Sequence, residues 1–161
     1  MPQVHLAMGD LGAATFAELD RFTQSYVQAM FWTSGYLEPF QDNLSFEQLD
    51  SASLAAMKVD CKNFQEGNAK LLEIAYRQHG YDASNAGYDF ALSRNGHGAG
   101  YFDRKALEVE AMFGITVGDA LQAAARAAGE SNCYTVPEIE DDNGMRLPDI
   151  DVSEVEVFYG F

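Results

Sequence analysis

Gly87-Tyr88-Asp89-Phe90-Ala91-Leu92-Ser93, continued by Arg94-Asn95-Gly96-His97-Gly98-Ala99-Gly100 and Tyr101-Phe102-Asp103-Arg104, is the stretch whose reading decides the fold. Tyr88, Phe90 and Leu92 alternate with Asp89, Ala91 and Ser93, the period of two expected of a half-buried strand. Asn95-Gly96-His97-Gly98 supplies turn chemistry, because Gly and Asn accept positive φ, and Tyr101-Phe102 resumes an extended run. The expectation is a central β-hairpin. If Phe90 pairs with Phe102, Asp89 stands opposite Asp103, and like charges so placed are unfavourable. Arg94 or Arg104 then neutralises them, or the register differs by one.

Toward the N-terminus the pattern is helical. Phe16, Leu19, Phe22, Tyr26 and Met30 recur every three or four residues from Thr15, with Glu18 completing a capping-box pair, so one amphipathic helix is predicted to end near Gly35. Pro39 and Asp42-Asn43 mark the loop that follows. A second long helix, from near Ser53 to His79, is predicted from the stripe Leu54, Met57, Cys61, Phe64, Leu71 and Ala75, with Asn68 at the missing seam position. Gly67 inside it marks a break or close packing, and Gly80 is its C-cap. Beyond the central stretch, Lys105 to Phe113 reads as helix. Thr116 with Asp119 caps an Ala-rich helix running to Ala128, which Gly129 ends. Cys133–Ile139 and Val152–Tyr159 have strand composition and flank the turn signal Asp141-Asp142-Asn143-Gly144.

The predicted fold class is therefore α+β, two to three helices packed on a small antiparallel sheet built from hairpins. The 161 residues suit a single domain, with a helical and hairpin core over 1–129 and an acidic C-terminal hairpin over 130–161. At 47% hydrophobic the chain has enough apolar material to offset chain entropy, which excludes an acidic disordered tail. Cys61 and Cys133 lack CxxC or His companion spacing, which argues against zinc and against a disulfide framework. Met1–Met8 has no export signature, and no apolar run approaches the length of a membrane span.

Ten Lys+Arg stand against 25 Asp+Glu, a formal charge of −15. From Glu130 onward there are nine acids and one base, Arg146, a net of −8 that leaves −7 for everything before it. The acids there fall in steps of two: Glu138 and Glu140, Asp149 and Asp151, Glu154 and Glu156. On a strand such pairs share a face about 6.7 Å apart, while Val155 and Val157 would pack on the other face. With Asp141 and Asp142 they form a candidate partner-binding surface resembling a row of phosphates in sign, though sparser than the one charge per about 1.7 Å of duplex DNA. The plainer reading is an edge hairpin protected from aggregation by charge. Direct nucleic-acid binding and anionic membranes are disfavoured by such a field, and a protein with a basic surface is favoured. An EF-hand reading fails, because aligning its glycine to Gly144 puts Ile139 and Ile150 where Asp and Glu are required.

A second candidate is the loop Arg94, Asn95 and His97. Its glycines let a ligand approach the backbone, and His97 beside Arg94 and Asp103 suits acid–base chemistry. No GxGxxG, Walker or GxSxG pattern accompanies it, and a structural hairpin is the plainer reading. His5 and His79 are isolated. Phe31, Trp32, Tyr36 and Phe40 read as core, or as an interface if exposed.

The segments Gly87-Tyr88-Asp89-Phe90 and Ser93-Arg94-Asn95-Gly96-His97-Gly98-Ala99-Gly100-Tyr101-Phe102-Asp103-Arg104 resemble a family of small bacteriophage proteins. The family pattern is roughly Gly-His-Asp-Phe, then Thr-Arg-Asn-Gly-His-Gly-Ala-Gly-Phe-Trp-Asp-Arg. Ser25-Tyr26-Val27-Gln28-Ala29-Met30-Phe31-Trp32-Thr33-Ser34 is also similar to its first helix. The resemblance runs to about Lys105, departs at Tyr88 and Tyr101, and does not extend to the acidic tail. It implies a phage origin and action in the host bacterial cytoplasm, but no established chemistry. By analogy, small acidic phage proteins antagonise restriction or CRISPR machinery by occupying nucleic-acid clefts.

The leading expectation is an inhibitor, without cofactor or metal, of a host nucleic-acid-handling defence protein, acting as a nucleic-acid mimic. An enzyme or ligand-binding protein using the glycine loop and a phage structural or accessory protein are the alternatives, and a homodimer is left open.

Overall fold

A computed structural model of the chain describes residues 10–34, 37, 44–135 and 155–160. Among these residues are six α-helices: α1 (Asp10–Ala17), α2 (Arg21–Thr33), α3 (Ser51–Gly67), α4 (Ala69–Tyr76), α5 (Ala83–Arg94) and α6 (Val117–Ala127). Two separate antiparallel ladders accompany them, β1 (Glu110–Met112) with β2 (Ile115–Thr116), and β3 (Asn132–Thr135) with β4 (Val157–Gly160). The architecture is α+β as expected, but richer in helix than the two to three predicted, and the strands do not form one sheet. No helix among the described residues is long and apolar enough to cross a membrane.

The main correction is at the centre of the chain. The predicted strand over Tyr88–Leu92 is α5. Asp82 caps it by accepting from the Asn85 backbone N–H at 3.1 Å, and the Asn85 side chain accepts from the Asp82 N–H at 3.0 Å. Every residue from Ala86 to Arg94 is buried. A helix enclosed on all sides has no polar face, so the 3.6-residue period is absent and the chance alternation of large and small residues stands in its place. Phe90 stacks on Phe64 at 4.1 Å between ring centroids and lies 5.1 Å from Tyr26 and 5.8 Å from Phe22, tying α5 to α2 and α3. Burying each such ring contributes roughly 1.5–3 kcal/mol. Residues 95–100 are a loop, and Tyr101–Asp103 is a 3-10 turn rather than a second strand.

Both long N-terminal helices are broken. The residues predicted as one helix from Thr15 form α1 and α2, with Thr15 inside α1 rather than at a cap. Asp20 takes an extended conformation and caps α2 through its carboxylate, which accepts from the Thr23 backbone N–H at 2.9 Å. Gln24 donates to the Phe16 and Leu19 carbonyls that the break frees. The second stripe divides at Asn68, directly after Gly67, and the Asn68 amide donates to the Phe64 carbonyl at 2.9 Å. The stripe itself holds: Met57, Cys61, Phe64 and Ala75 are buried, and Leu54 and Leu71 pack partly against the core.

Lys105–Phe113 is not a helix. Lys105–Leu107 is a 3-10 turn, after which β1 and β2 meet around Phe113-Gly114, both at positive φ. The α6 prediction stands, with Thr116 accepting from the Asp119 N–H at 3.1 Å and Gly129 at φ +81 just beyond the end.

Strands β3 and β4 pair from Asn132↔Gly160 to Thr135↔Val157, which overlaps the outer ends of the two predicted C-terminal strands; the predicted turn at 141–144 and the rest of those strands lie outside the described residues. Cys133 and Val157 are fully buried on one face, and Tyr134 stacks on Phe158 at 6.0 Å. The stem is fixed to the core on both edges. The Cys133 N–H donates to Ser34 Oγ, the Asp50 N–H to the Val157 carbonyl, and the Tyr159 N–H to Ser53 Oγ.

Burial raises the Cys61 thiol far above its ordinary range and pushes Cys133 up to about 12, with Ser34 offsetting part of the latter shift. Both thiols are therefore expected to resist a disulfide-exchange reagent in the native protein. They should titrate together only on denaturation. Rapid reaction of either native thiol would contradict this packing.

Candidate functional site

The candidate site is built around the end of α5 and the glycine loop, where sequence reasoning placed Arg94, Asn95, His97 and Asp103. These residues do not converge. Arg94 is 4% exposed and points inward. Its Nη1 donates to Tyr26 Oη, Asp60 Oδ2 and Tyr159 Oη at 2.8–2.9 Å, its Nε to the Gly129 carbonyl at 2.7 Å, and its Nη2 to the Ala128 carbonyl at 3.2 Å. The guanidinium also lies 5.1 Å from the Phe90 ring centroid. Burial alone would lower its pKa, but Tyr26, Tyr159 and Asp60 more than compensate, so it stays a cation. Tyr26 and Tyr159 share a hydroxyl contact at 2.8 Å, and Tyr159 also hydrogen-bonds Asp60. Through this network Arg94 joins α2, α3, α5, the C-terminal end of α6 and β4. Asp60, Tyr26 and Tyr159 were not legible in the sequence as partners of Arg94, since partners scattered along the chain leave no local spacing to read.

The other motif residues are mostly spent on local structure. Asn95 accepts from the Ser131 N–H at 2.9 Å and donates to the Met30 sulfur at 3.4 Å. Gly96, Gly98 and Gly100 all have positive φ. At Gly100, a Cβ would lie 2.2 Å from Ser93 Oγ, the atom that accepts the Tyr101 N–H. Buried Tyr101 donates its hydroxyl to the Ala86 carbonyl at 2.7 Å, and exposed Asp103 accepts from the Gly100 N–H at 3.0 Å. Gly100→Ala is accordingly expected to destabilise the fold by about 1–3 kcal/mol, from φ strain and displacement of Ser93. Chemical denaturation checks this, and an unchanged midpoint would contradict it.

Asp89 and Arg104 are not opposed like charges but partners. Arg104 Nε contacts both Asp89 oxygens at 2.9 and 3.0 Å, Nη2 lies 2.5 Å from Oδ1, and the Tyr81 hydroxyl donates to Oδ2 at 2.9 Å. Burial raises the Asp89 pKa, against the lowering by Arg104 and Tyr81.

His97 is what remains outward. It lines an open groove of about 640 Å3 with Trp32, Tyr88, Leu92, Ala99 and Arg104. The Trp32 and Tyr88 rings are 6.4 Å apart and tilted by 32°, and Trp32 is 47% exposed whereas Phe31 is core. Among the described residues no side chain hydrogen-bonds the His97 imidazole. No cluster of three or more His, Cys, Asp or Glu among them is placed to hold a metal ion.

Of the acidic surface, Glu156 is described: it is exposed between partly buried Val155 and buried Val157, the alternation expected. Glu138, Glu140, Asp141, Asp142, Asp149, Asp151 and Glu154 lie outside the described residues, as do His5, Tyr36 and Phe40. What is fixed is where their segment starts and finishes. Residues 136–156 leave and re-enter through the paired ends Thr135 and Val157. A connection of that length has all its carboxylates within about 35 Å of the stem. Elsewhere Lys62, Arg77, Arg94 and Arg104 are each ion-paired with a carboxylate of the chain.

Compared with protein-family models, curated proteins and solved structures, the chain matches none.

Proposed function

We propose that this chain is a phage-encoded, non-catalytic inhibitor that acts in the host bacterial cytoplasm on a nucleic-acid-handling defence protein. It occupies the partner's basic cleft with Glu138, Glu140, Asp141, Asp142, Asp149, Asp151, Glu154 and Glu156. The observation that supports this most is the anchored stem: eight acids and one base, a net charge of −7, are gathered in a segment whose two ends are pinned side by side on the core. Tethering both ends lowers the entropy cost of presenting many like charges to one surface. The resulting field steers association with a basic partner and disfavours phosphate and anionic lipid.

The test is capture from host lysate at low and high salt, with wild type and a variant carrying Glu138→Lys, Glu140→Lys, Asp149→Lys and Asp151→Lys. Wild type is expected to retain a nuclease or CRISPR component that salt releases, and the variant to lose it with an unchanged melting temperature. Capture of the same protein by both, or of no such protein by wild type, overturns the proposal.

The groove beside His97 favours a second reading, a ligand-binding protein or small enzyme. Arg94 is unavailable to that site, so His97 and the Trp32–Tyr88 pair would carry it. In that case His97→Ala abolishes function and the acids are dispensable.

A further inference from the structure

We propose that the β1–β2 turn is the apolar anchor of this complex, with Phe113 entering a base-stacking pocket of the partner, an apolar floor rimmed by Lys and Arg. The inference rests on the reading above and adds to it the residue that stands in for a nucleobase.

Phe113 is 95% exposed, between Met112 at 59% and Ile115 at 49%. Three adjacent apolar side chains in water at the tip of a two-stranded ladder gain nothing for the isolated chain. The backbone adds a second cost. Phe113 has φ +49 and Gly114 φ +78, the consecutive positive angles of a tight hairpin turn that Asn-Gly would build with less strain. An aromatic ring is thus held outward where a small polar residue would be more stable, a combination associated with recognition sites.

The turn is also held in place. The Gly114 N–H donates to Glu110 Oε1 at 2.8 Å, and the Val117 N–H donates to the Val109 carbonyl at 2.8 Å where the ladder meets α6. Val117 is fully buried, which fixes the base of the turn to the core. A ring presented on a pre-ordered turn loses little freedom on docking.

Charge decides which pocket suits it. Exposed Glu108, Glu110 and Asp119 surround the turn in sequence, against Lys105. A basic rim complements them, whereas a second copy of this chain, at −15, or an anionic membrane is repelled. Pockets with an apolar or aromatic floor and a cationic rim are what single-strand nucleic-acid proteins use to hold a stacked base beside its phosphate.

The experiment measures displacement of a labelled single-stranded oligothymidylate from the captured partner by full-length wild type, Phe113→Asn and Phe113→Trp. Phe113→Asn is expected to weaken displacement about 5- to 150-fold, the range for losing one stacked base. It should also raise the melting temperature by about 2–4 °C through relief of the positive-φ strain. Phe113→Trp should displace as wild type does. A benzophenone analogue at position 113 should cross-link to the partner, and oligothymidylate should compete. Displacement by Phe113→Asn equal to wild type, or cross-links only between copies of this chain, overturns the anchor while leaving the acidic segment's role intact. Undiminished capture by the charge-reversed variant overturns the parent reading instead.

Discussion

Arg94→Met is expected to cost about 3–5 kcal/mol of stability, the range for removing one partner of a buried ion pair. At about 2–4 °C per kcal/mol for a chain of this size, the melting temperature should fall by roughly 6–20 °C. The volume is nearly conserved, so little of the loss comes from a cavity. It arises because the Asp60 carboxylate loses its cation, two tyrosine hydroxyls lose a donor, and the Ala128 and Gly129 carbonyls at the end of α6 are left unpaired. Asp60→Asn should cost less, since the Asp60 side chain keeps 34% of its exposure and water can replace part of what is lost. Thermal unfolding followed by circular dichroism measures both. A shift under about 2 °C for Arg94→Met would show that the network contributes little and that Arg94 is free for another role.

Gly87→Ala is the second large effect, and its sign separates two arguments. Helix propensity alone favours Ala over Gly in the middle of α5 by about 1 kcal/mol. The packing of α5 on α2 opposes it, because a Cβ at Gly87 would lie 2.0 Å from the Phe22 carbonyl oxygen and 2.8 Å from its carbon. Those atoms belong to a helix backbone and cannot swing aside as a side chain can. The helices must separate, which disturbs Phe22, Tyr26 and Phe90 together, so we expect a loss at or above the upper end of the about 1–3 kcal/mol typical of overpacked cores. Gly67→Ala is the control, since open space surrounds it at the end of α3, and there the propensity gain should appear as modest stabilisation. If Gly87→Ala stabilised the protein as Gly67→Ala does, the close approach of α2 and α5 would be wrong.

These two positions also show what was legible in the sequence. Helix faces with one wet side were readable: the buried positions Phe16, Leu19, Phe22, Tyr26 and Met30 follow from spacing, and Thr116 and Gly129 mark the ends of α6. The breaks at Asp20 and Asn68 were missed or half seen, because a stripe continues across a kink when both halves pack on the same core. The reading of α5 failed for a different reason. Its residues are buried all round, so the sequence carries no amphipathic signal, and Gly96, Gly98 and Gly100 suited a hairpin as well as a loop. The Asp82–Asn85 capping pair was the local clue that favoured helix.

For the candidate site, the motif Arg94-Asn95-Gly96-His97 stands out in the sequence, but most of it is structural. Asp89 with Arg104, and Arg94 with Asp60, are ion pairs whose partners are far apart in sequence. The acidic segment was legible as composition, and its stem as a hairpin. Their connection was not. Tyr159 on β4 accepts from Arg94 and meets Tyr26 and Asp60, so the glycine-motif arginine helps hold the strand from which the acidic segment is presented. On that view the motif supplies the scaffold and the acids supply the contact. Arg94→Met should therefore weaken partner binding along with the fold, whereas His97→Ala should leave both unchanged.

The most direct measurement of the central claim is the dissociation constant for the captured partner across a salt series, for wild type and for the four-site charge reversal at Glu138, Glu140, Asp149 and Asp151. Wild-type affinity is predicted to fall steeply with salt. The reversed variant should bind at least tenfold more weakly at low salt and with a much shallower dependence, because the charges that steer the encounter are gone. Equal affinities and parallel salt slopes for the two proteins would contradict the claim that this acidic segment is the surface by which the protein acts.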